Sequence, residues 1–322
     1  MTQTVLILGA NGRFGRAATT AFANAGWNIR LWLRPGAKAS VGHSVHHGDL
    51  HDAVELEKAA VGADVIVNAL NPLYPDWATE LPRITRAVIN AARNTGATVM
   101  IPGNIYNFGT DLPEVLTEDT PQIGDHKKAA LRIEMEEAYR NSGVRTIILR
   151  AGDFIEGTST NNWFDTHITK NILKGKVTYP GPLDRPHAWA HLPDMARAAE
   201  MLVTNRDQLA PFQTVGFSGY TLTGQQLIDV LGQASGAPLK QTSFPWWMLR
   251  LLSPMVPLIR EVLPMRYLWN RPHQIDGAEL ARLAPDFHPT PVAEAITTCL
   301  TELGLRPTSG PADAGFQDFV AA

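Results

Sequence analysis

Three glycines open the chemistry of this chain. In Gly9-Ala10-Asn11-Gly12-Arg13-Phe14-Gly15 they fall between an apolar run, Val5 to Leu8, and a stretch with helical spacing, Gly12 to Ala25. Gly9 permits a sharp turn, Gly12 lets phosphates approach the free N–H groups of a helix N-terminus, and Gly15 lets helix and strand pack closely. A pyrophosphate fits that cradle. The turn therefore predicts dinucleotide binding by Gly9, Asn11, Gly12, Arg13, Phe14 and Gly15.

The next apolar run, Ile29 to Leu33, ends in Arg34-Pro35-Gly36, where an acid would normally accept hydrogen bonds from the ribose 2′-OH of NAD. A guanidinium suits a 2′-phosphate by its charge and its fork of donors, so Arg34, assisted by Arg13, favours NADP as the cofactor. The competing reading of Arg34 is a solvated loop cation. Gly48-Asp49-Leu50 and Asn68-Ala69-Leu70-Asn71 each follow a strand-like run, at the edge where open α/β sheets take ligands. Asp49 is placed to accept from the adenine amino group with Leu50 packed on the ring, or else to cap the following helix. Ala69, Leu70 and Asn71 join the expected cofactor contacts.

These residues need a scaffold, and the pattern supplies one. Val5 to Leu8, Ile29 to Leu33, Val65 to Ala69, Thr98 to Ile101 and Thr146 to Leu149 read as buried parallel strands. Helical spacing fills the gaps at Gly12 to Ala25, Asp52 to Val61, Trp77 to Thr95 and Asp125 to Ser142, with stops at Gly26 and at Asn94 to Gly96. The expected fold is α/β, a Rossmann doubly wound parallel sheet with a smaller, mainly helical C-terminal substrate domain. Residues 1–152 form the dinucleotide-binding domain, rejoined by 185–220 through a helix over His191 to Thr204 and a strand over Gln213 to Phe217. Residues 153–184, with a helix over Trp163 to Lys174, and 221–306 make the substrate domain. Residues 307–322 are a Gly/Ala/Pro-rich tail that Phe316 and Phe319 could dock.

A net charge of −3 without a long basic run predicts no nucleic-acid partner, and 44% hydrophobic residues in 322 suffice for a proper core. Cys299, the single cysteine, cannot form an internal disulfide, and Met-Thr-Gln lacks a basic leader, so the cytoplasm is the expected compartment. The most apolar stretch, Phe244 to Trp269, is broken by Arg250, Arg260 and three prolines, short of the roughly 20 residues of a membrane span. It reads as packed short helices, as a greasy substrate lid, or as both. The expected partner is a small molecule rather than a membrane, with a homodimer left open. His126, His187 and His191 could shuttle protons, His191 reading better as a structural bridge near Pro193-Asp194. No pair has metal-ligand spacing with a third ligand, so no metal is expected.

Together these landmarks resemble the short-chain dehydrogenase/reductase superfamily in its extended or atypical branch, of epimerase/dehydratase type. The resemblance spans nearly the whole chain: the glycine motif, Gly48-Asp49-Leu50, Pro102 to Gly109, Lys128 with Glu134, Leu149-Arg150-Ala151-Gly152, and His191 to Asp194 before a helix. It implies that Gly103, Lys128, Ala151 and Gly152 also contact the cofactor. The superfamily's catalytic pattern is broken, because Gly124 stands four residues before Lys128 where a tyrosine is usual, and Asn104 stands at the serine position. The run Lys128 to Glu134 is similar to the isoflavone-reductase-like and NmrA-like groups, which lack that tyrosine and in which the lysine is thought to act. The candidate catalytic residues are therefore Lys128, Tyr106 and Asn104, with Lys128 holding ribose hydroxyls and lowering a neighbour's pKa. Tyr106 is the one phenol the motif supplies.

The expected function is an NADP-dependent reductase of a small carbonyl or enone-like substrate, covered by Trp163, Phe164, Trp246 and Trp247. A sugar-nucleotide epimerase or dehydratase and a non-catalytic NADP(H) sensor are the alternatives, and fold alone does not choose among them.

Overall fold

The computed structural model describes residues 2–39, 42–49 and 52–306. In chain order the strands are β1 Thr4–Leu8, β2 Asn28–Leu33, β3 Ser44–His47, β4 Val65–Asn68, β5 Thr98–Gly103, β6 Val115–Leu116 and β7 Thr146–Arg150. They continue with β8 Asp153–Ile155, β9 Lys176–Tyr179, β10 Pro186–His191, β11 Phe212–Gly216, β12 Tyr220–Thr223, β13 Lys240–Ser243 and β14 Gln274–Ile275. The α-helices are α1 Arg13–Asn24, α2 Ala53–Ala60, α3 Trp77–Thr95, α4 Lys127–Arg140, α5 Leu192–Thr204 and α6 Gly224–Ser235. Beyond these come α7 Trp246–Leu252, α8 Pro257–Val262, α9 Tyr267–Asn270, α10 Ala278–Leu283 and α11 Val292–Glu302.

Seven parallel strands form the central sheet in the order β11-β7-β5-β4-β1-β2-β3. Side chains alternate along β1, so Val5 and Ile7 enter one apolar layer and Leu6 and Leu8 the other. Helices α1 and α5 cover the first layer, and α2, α3 and α4 the second. Such burial on both faces requires the unbroken apolar runs seen in the sequence. The strand order reverses between β1 and β4, which opens a crevice at their C-terminal ends. Gly96, with φ of +75°, ends α3 as a left-handed cap, its N–H donating to Ala92 at 2.8 Å.

Outside this sheet, β8, β10 and β12 form a three-stranded sheet, and β9–β13 and β6–β14 form two-stranded ones. Strands β8, β9, β10 and β12 pack with α6, α7, α9 and α11 around Phe164, Trp189, Leu227, Trp269 and Ile296, while Leu116 of β6 and Ile275 of β14 join a second cluster with Ile105, Phe108 and Leu268.

The single helix expected over Trp163 to Lys174 is corrected to two fragments, a π-type turn at Phe164–Ile168 and a 3-10 turn at Ile172–Lys174. Local side chains compete with helical bonding there. The Asp165 carboxylate accepts from the backbone N–H of Thr160 at 2.6 Å and of Asn161 at 3.0 Å, and the Thr169 hydroxyl donates to the Phe164 carbonyl. The expected tail contacts of Phe316 and Phe319 lie outside the described residues.

Candidate active site

The glycine turn has the shape a nucleotide pyrophosphate needs. Gly9 sits at φ +76°, and a Cβ there would lie 2.9 Å from the Ala69 carbonyl oxygen. The Gly12 N–H donates to the Gly9 carbonyl at 2.8 Å and leads into α1, whose N-terminus has no side-chain cap. A Cβ on Gly15 would collide with the Gly9 carbonyl. Phe14 is buried beneath the turn. The cradle thus combines close backbone approach with an uncapped helix dipole, and these residues fit a dinucleotide.

Around the adenine end, Arg34 is exposed just past β2, and the Asn11 amide ties the glycine turn to the Lys38 carbonyl at 3.0 Å. Asp49 is exposed beyond β3. The capping alternative for Asp49 falls to Asp52, whose carboxylate accepts from Val54 and Glu55 at the head of α2. Leu50 lies outside the described residues. Arg13 donates to the Thr160 hydroxyl at 2.9 Å and the Asn161 carbonyl at 2.9 Å, within 3.7 Å of buried Glu156. It therefore fastens the 156–162 loop over the head of α1.

The other end of the crevice is built on β4, β5 and β7. Past β4, Ala69 backs the glycine turn, Leu70 packs against the α2–α4 layer, and the Asn71 side-chain oxygen accepts from Arg132 at 3.1 Å. Gly103 ends β5 against Ile148 of β7. In the next turn the Asn104 side-chain oxygen accepts from the Tyr106 N–H at 3.0 Å, so this amide shapes the loop. The Tyr106 hydroxyl meets the Tyr74 hydroxyl at 2.8 Å, with Trp77 beside both rings. Burial pushes the pKa of Tyr106 well up, reinforced by Tyr74 and the nearby Asp153 carboxylate, and burial also raises Tyr74. Both phenols are held protonated.

Lys128, on the first turn of α4, places its ammonium 5.1 Å from the Tyr74 ring centroid and pairs with the Glu261 carboxylate of α8. The pair is buried on the lysine side. Gly124, with φ of +66°, lies in the loop before α4 and offers no side chain. His126 caps α4 through Nδ1, accepting from Ala129, while its Nε2 lies 3.2 Å from the Tyr267 hydroxyl.

At the end of β7, Arg150 donates to Glu136 of α4 at 2.8 Å and to the Asn104 carbonyl, which fastens the loop carrying Tyr106. The Ala151 N–H donates to the Gly103 carbonyl at 3.1 Å, and Gly152 packs so closely on Ala188 that no Cβ fits. The chain then delivers Asp153, whose carboxylate sits 2.8 Å from His187 Nε2. The His187 ring stacks on Trp269 at 4.4 Å and meets His273 at 4.5 Å. His191 instead lies 3.1 Å from Asp194, itself bound by Arg197 and Thr290, which matches the structural bridge expected.

His273 is fully buried, and burial followed by the proximity of His187 pushes it down to about 3. With the folded pKa below the ordinary 6.5, the unfolded chain takes the proton first, so this stability is complete above pH 6.5 and declines as pH falls toward 3. The slope approaches about 1.4 kcal/mol per pH unit. His273→Asn should therefore flatten the fall in urea stability between pH 6.5 and pH 5, above the range of ordinary carboxylates. Equal slopes in the two proteins would show that His273 keeps a normal affinity for protons.

Trp163, Phe244, Trp246 and Trp269 form an aromatic cluster next to this wall, and Phe164 is buried beneath it. Trp247 is a correction. It lies one helical step from Trp246, about 100° around α7, and is 72% exposed rather than part of the cover. Sequence reasoning also missed Tyr74, Asp153 and Glu261. Tyr74 lies three residues past Asn71 on a loop already marked as ligand-facing, and Asp153 directly follows Gly152, so both carried a positional signal. Glu261 carried none.

An uncapped glycine cradle at the switch point, with phenols and a lysine at the same edge, defines a nicotinamide-dinucleotide-binding Rossmann protein. The chain belongs to the NAD(P)H-binding family, whose model matches residues 9–178, more than half of its length. No curated protein matches it. Among solved structures it is similar to UDP-glucose 4-epimerase from Brucella ovis in complex with NAD, at 15% identity and a TM-score of 0.72, covering 94% of this chain and 99% of that one. The UDP-Glc/GlcNAc 4-epimerase of Campylobacter jejuni gives 14% identity and 0.71, over 94% and 99%. A nucleoside-diphosphate-sugar epimerase of Staphylococcus aureus gives 17% and 0.68, over 92% and 100%. The chain thus shares the fold of these epimerases over more than nine-tenths of its length.

Proposed function

We propose that this protein is an NADP-dependent reductase of a small, uncharged carbonyl or enone. The observation that carries this reading is the Tyr106–Tyr74 hydroxyl pair beside Lys128, at the sheet edge where the glycine cradle would direct the nicotinamide. The bound nucleotide would supply the hydride. On the protein side, Tyr106 Oη donates the proton to the substrate oxygen, Tyr74 Oη, at 2.8 Å, returns one to it, and solvent restores the proton to Tyr74, which is only partly buried. Lys128 stabilises negative charge forming on the pair, to the extent that Glu261 leaves its charge free. Arg150 positions the Tyr106 loop, and the aromatic cluster of Trp163, Trp246 and Trp269 excludes water.

The named relatives favour a second reading, a sugar-nucleotide epimerase. Against it, a diphosphate needs free cations, whereas Lys128 on this wall is paired with the Glu261 carboxylate. Purified protein should oxidise NADPH with members of a panel of aldehydes, ketones, quinones and enones. Turnover of UDP-glucose with none of that panel reduced would move the assignment to the epimerase, and activity with neither would favour a nucleotide sensor.

Arg34 is the residue proposed to select the phosphate-bearing cofactor. A charged hydrogen bond is worth roughly 1.5–3 kcal/mol, so Arg34→Ala should lower the NADPH/NADH affinity ratio by about tenfold or more. Fluorescence titration of both nucleotides reads this directly, and an unchanged ratio removes Arg34 from the site.

A further inference from the structure

From the α7–α8 hairpin we infer that this protein docks on an anionic lipid bilayer, with that hairpin lying in the plane of the interface. Seven of the thirteen exposed large apolar side chains among the described residues fall between Trp247 and Leu258. Trp247 at 72%, Leu251 at 71% and Met255 at 81% are the most exposed of these. Trp247, Met248, Leu251 and Leu252 share one face of α7, and Met255, Val256 and Leu258 continue it through the turn into α8. An apolar surface this concentrated marks an interaction site.

Charge decides the occupant. No Asp, Glu or Lys occurs between Trp246 and Arg260, while Arg250 and Arg260 are exposed beside the apolar face. Arg266 stands 5.4 Å from the Trp246 ring, and with Arg250 it lines a cleft of about 450 Å³ open next to the hairpin. The first acid, Glu261, is turned inward onto Lys128. A basic, apolar hairpin on a chain of net charge −3 is complementary to anionic headgroups. A second copy of the chain fits poorly, because a two-fold contact sets the same patch against itself and opposes arginine to arginine. Trp247 and the arginines suit the headgroup level, where an indole and a snorkelling guanidinium keep one end wet. The expectation of no membrane partner rested on span length, and no described helix is long and apolar enough to cross a membrane. Interfacial binding needs no span.

Full-length protein should sediment with phosphatidylglycerol vesicles and much less with phosphatidylcholine vesicles, and salt should release it. Leu251→Asp with Met255→Asp should abolish binding without changing the melting temperature, since both side chains lie in solvent. Arg250→Gln should weaken it roughly fivefold, the value of one cation near an anionic surface. Absence of wild-type binding, or equal binding by the double aspartate variant, would overturn the proposal. So would a wild-type dimer in sedimentation velocity that the same variant turns into monomer, which gives the face to a second copy.

Discussion

Tyr106→Phe is expected to lower kcat by roughly 10²-fold or more while NADPH binds as before, the range for losing a positioned acid. Affinity should hold because the glycine cradle sits on β1 and α1, whereas the lost hydroxyl is bonded to Tyr74 at the end of β5. Lys128→Met is the companion and should cost a similar factor. The two variants separate roles: a fall in Tyr106→Phe with Lys128→Met near wild type would assign the proton to Tyr106 alone and end the inference from the superfamily lysine. Glu261→Gln adds a third arm. Freeing the Lys128 charge favours the phenolate form, so the alkaline limb of the kcat profile should move to lower pH. An unmoved limb would mean that Lys128 exerts no field on the phenols.

The largest stability loss is expected at Glu136. Its carboxylate and the Arg150 guanidinium are each 4% exposed and 2.8 Å apart, and Gln122 donates to the same oxygen at 3.1 Å. Glu136→Gln leaves the arginine charge buried without its counter-ion, a change that costs about 3–5 kcal/mol. With a shift of about 2–4 °C per kcal/mol in a chain of this order of size, melting should fall by roughly 10 °C. Replacing both partners, Glu136→Met with Arg150→Met, removes charge from both sides and should recover much of that loss. It should not recover turnover, because Arg150 also holds the Asn104 carbonyl and with it the Tyr106 loop. A loss below about 1 kcal/mol in Glu136→Gln would show that water reaches the pair, since exposed ion pairs fall in that range.

The parts legible in the sequence were those whose cause is local. Gly9, Gly12 and Gly15 announce themselves because each answers a steric need within seven residues, and α3 was readable end to end from its apolar period and Gly96. Partner choice was not legible. Tyr74 with Tyr106, Asp153 with His187 and Lys128 with Glu261 are joined across 32, 34 and 133 residues, and no spacing rule links such positions. Trp163 to Lys174 has helical spacing, yet Asp165 and Thr169 offer the backbone nearer partners. In α7, apolar content alone made Trp246 and Trp247 look equivalent, and only the direction of the helix axis separates the buried indole from the exposed one.

The short pairings β6–β14 and β9–β13 impose an order on synthesis. Val115–Leu116 waits for Gln274–Ile275, and Lys176–Tyr179 waits for Lys240–Ser243. At about 5–20 residues per second, Lys128 leaves the ribosome on the order of ten seconds before Glu261. The nucleotide cradle can close early from neighbouring strands, but the wall that would face the substrate stays open until the chain is nearly finished. A nascent chain halted before Gln274 would therefore carry a formed glycine turn together with an unpaired β6, a natural target for chaperones and a measurable one in ribosome-bound proteolysis.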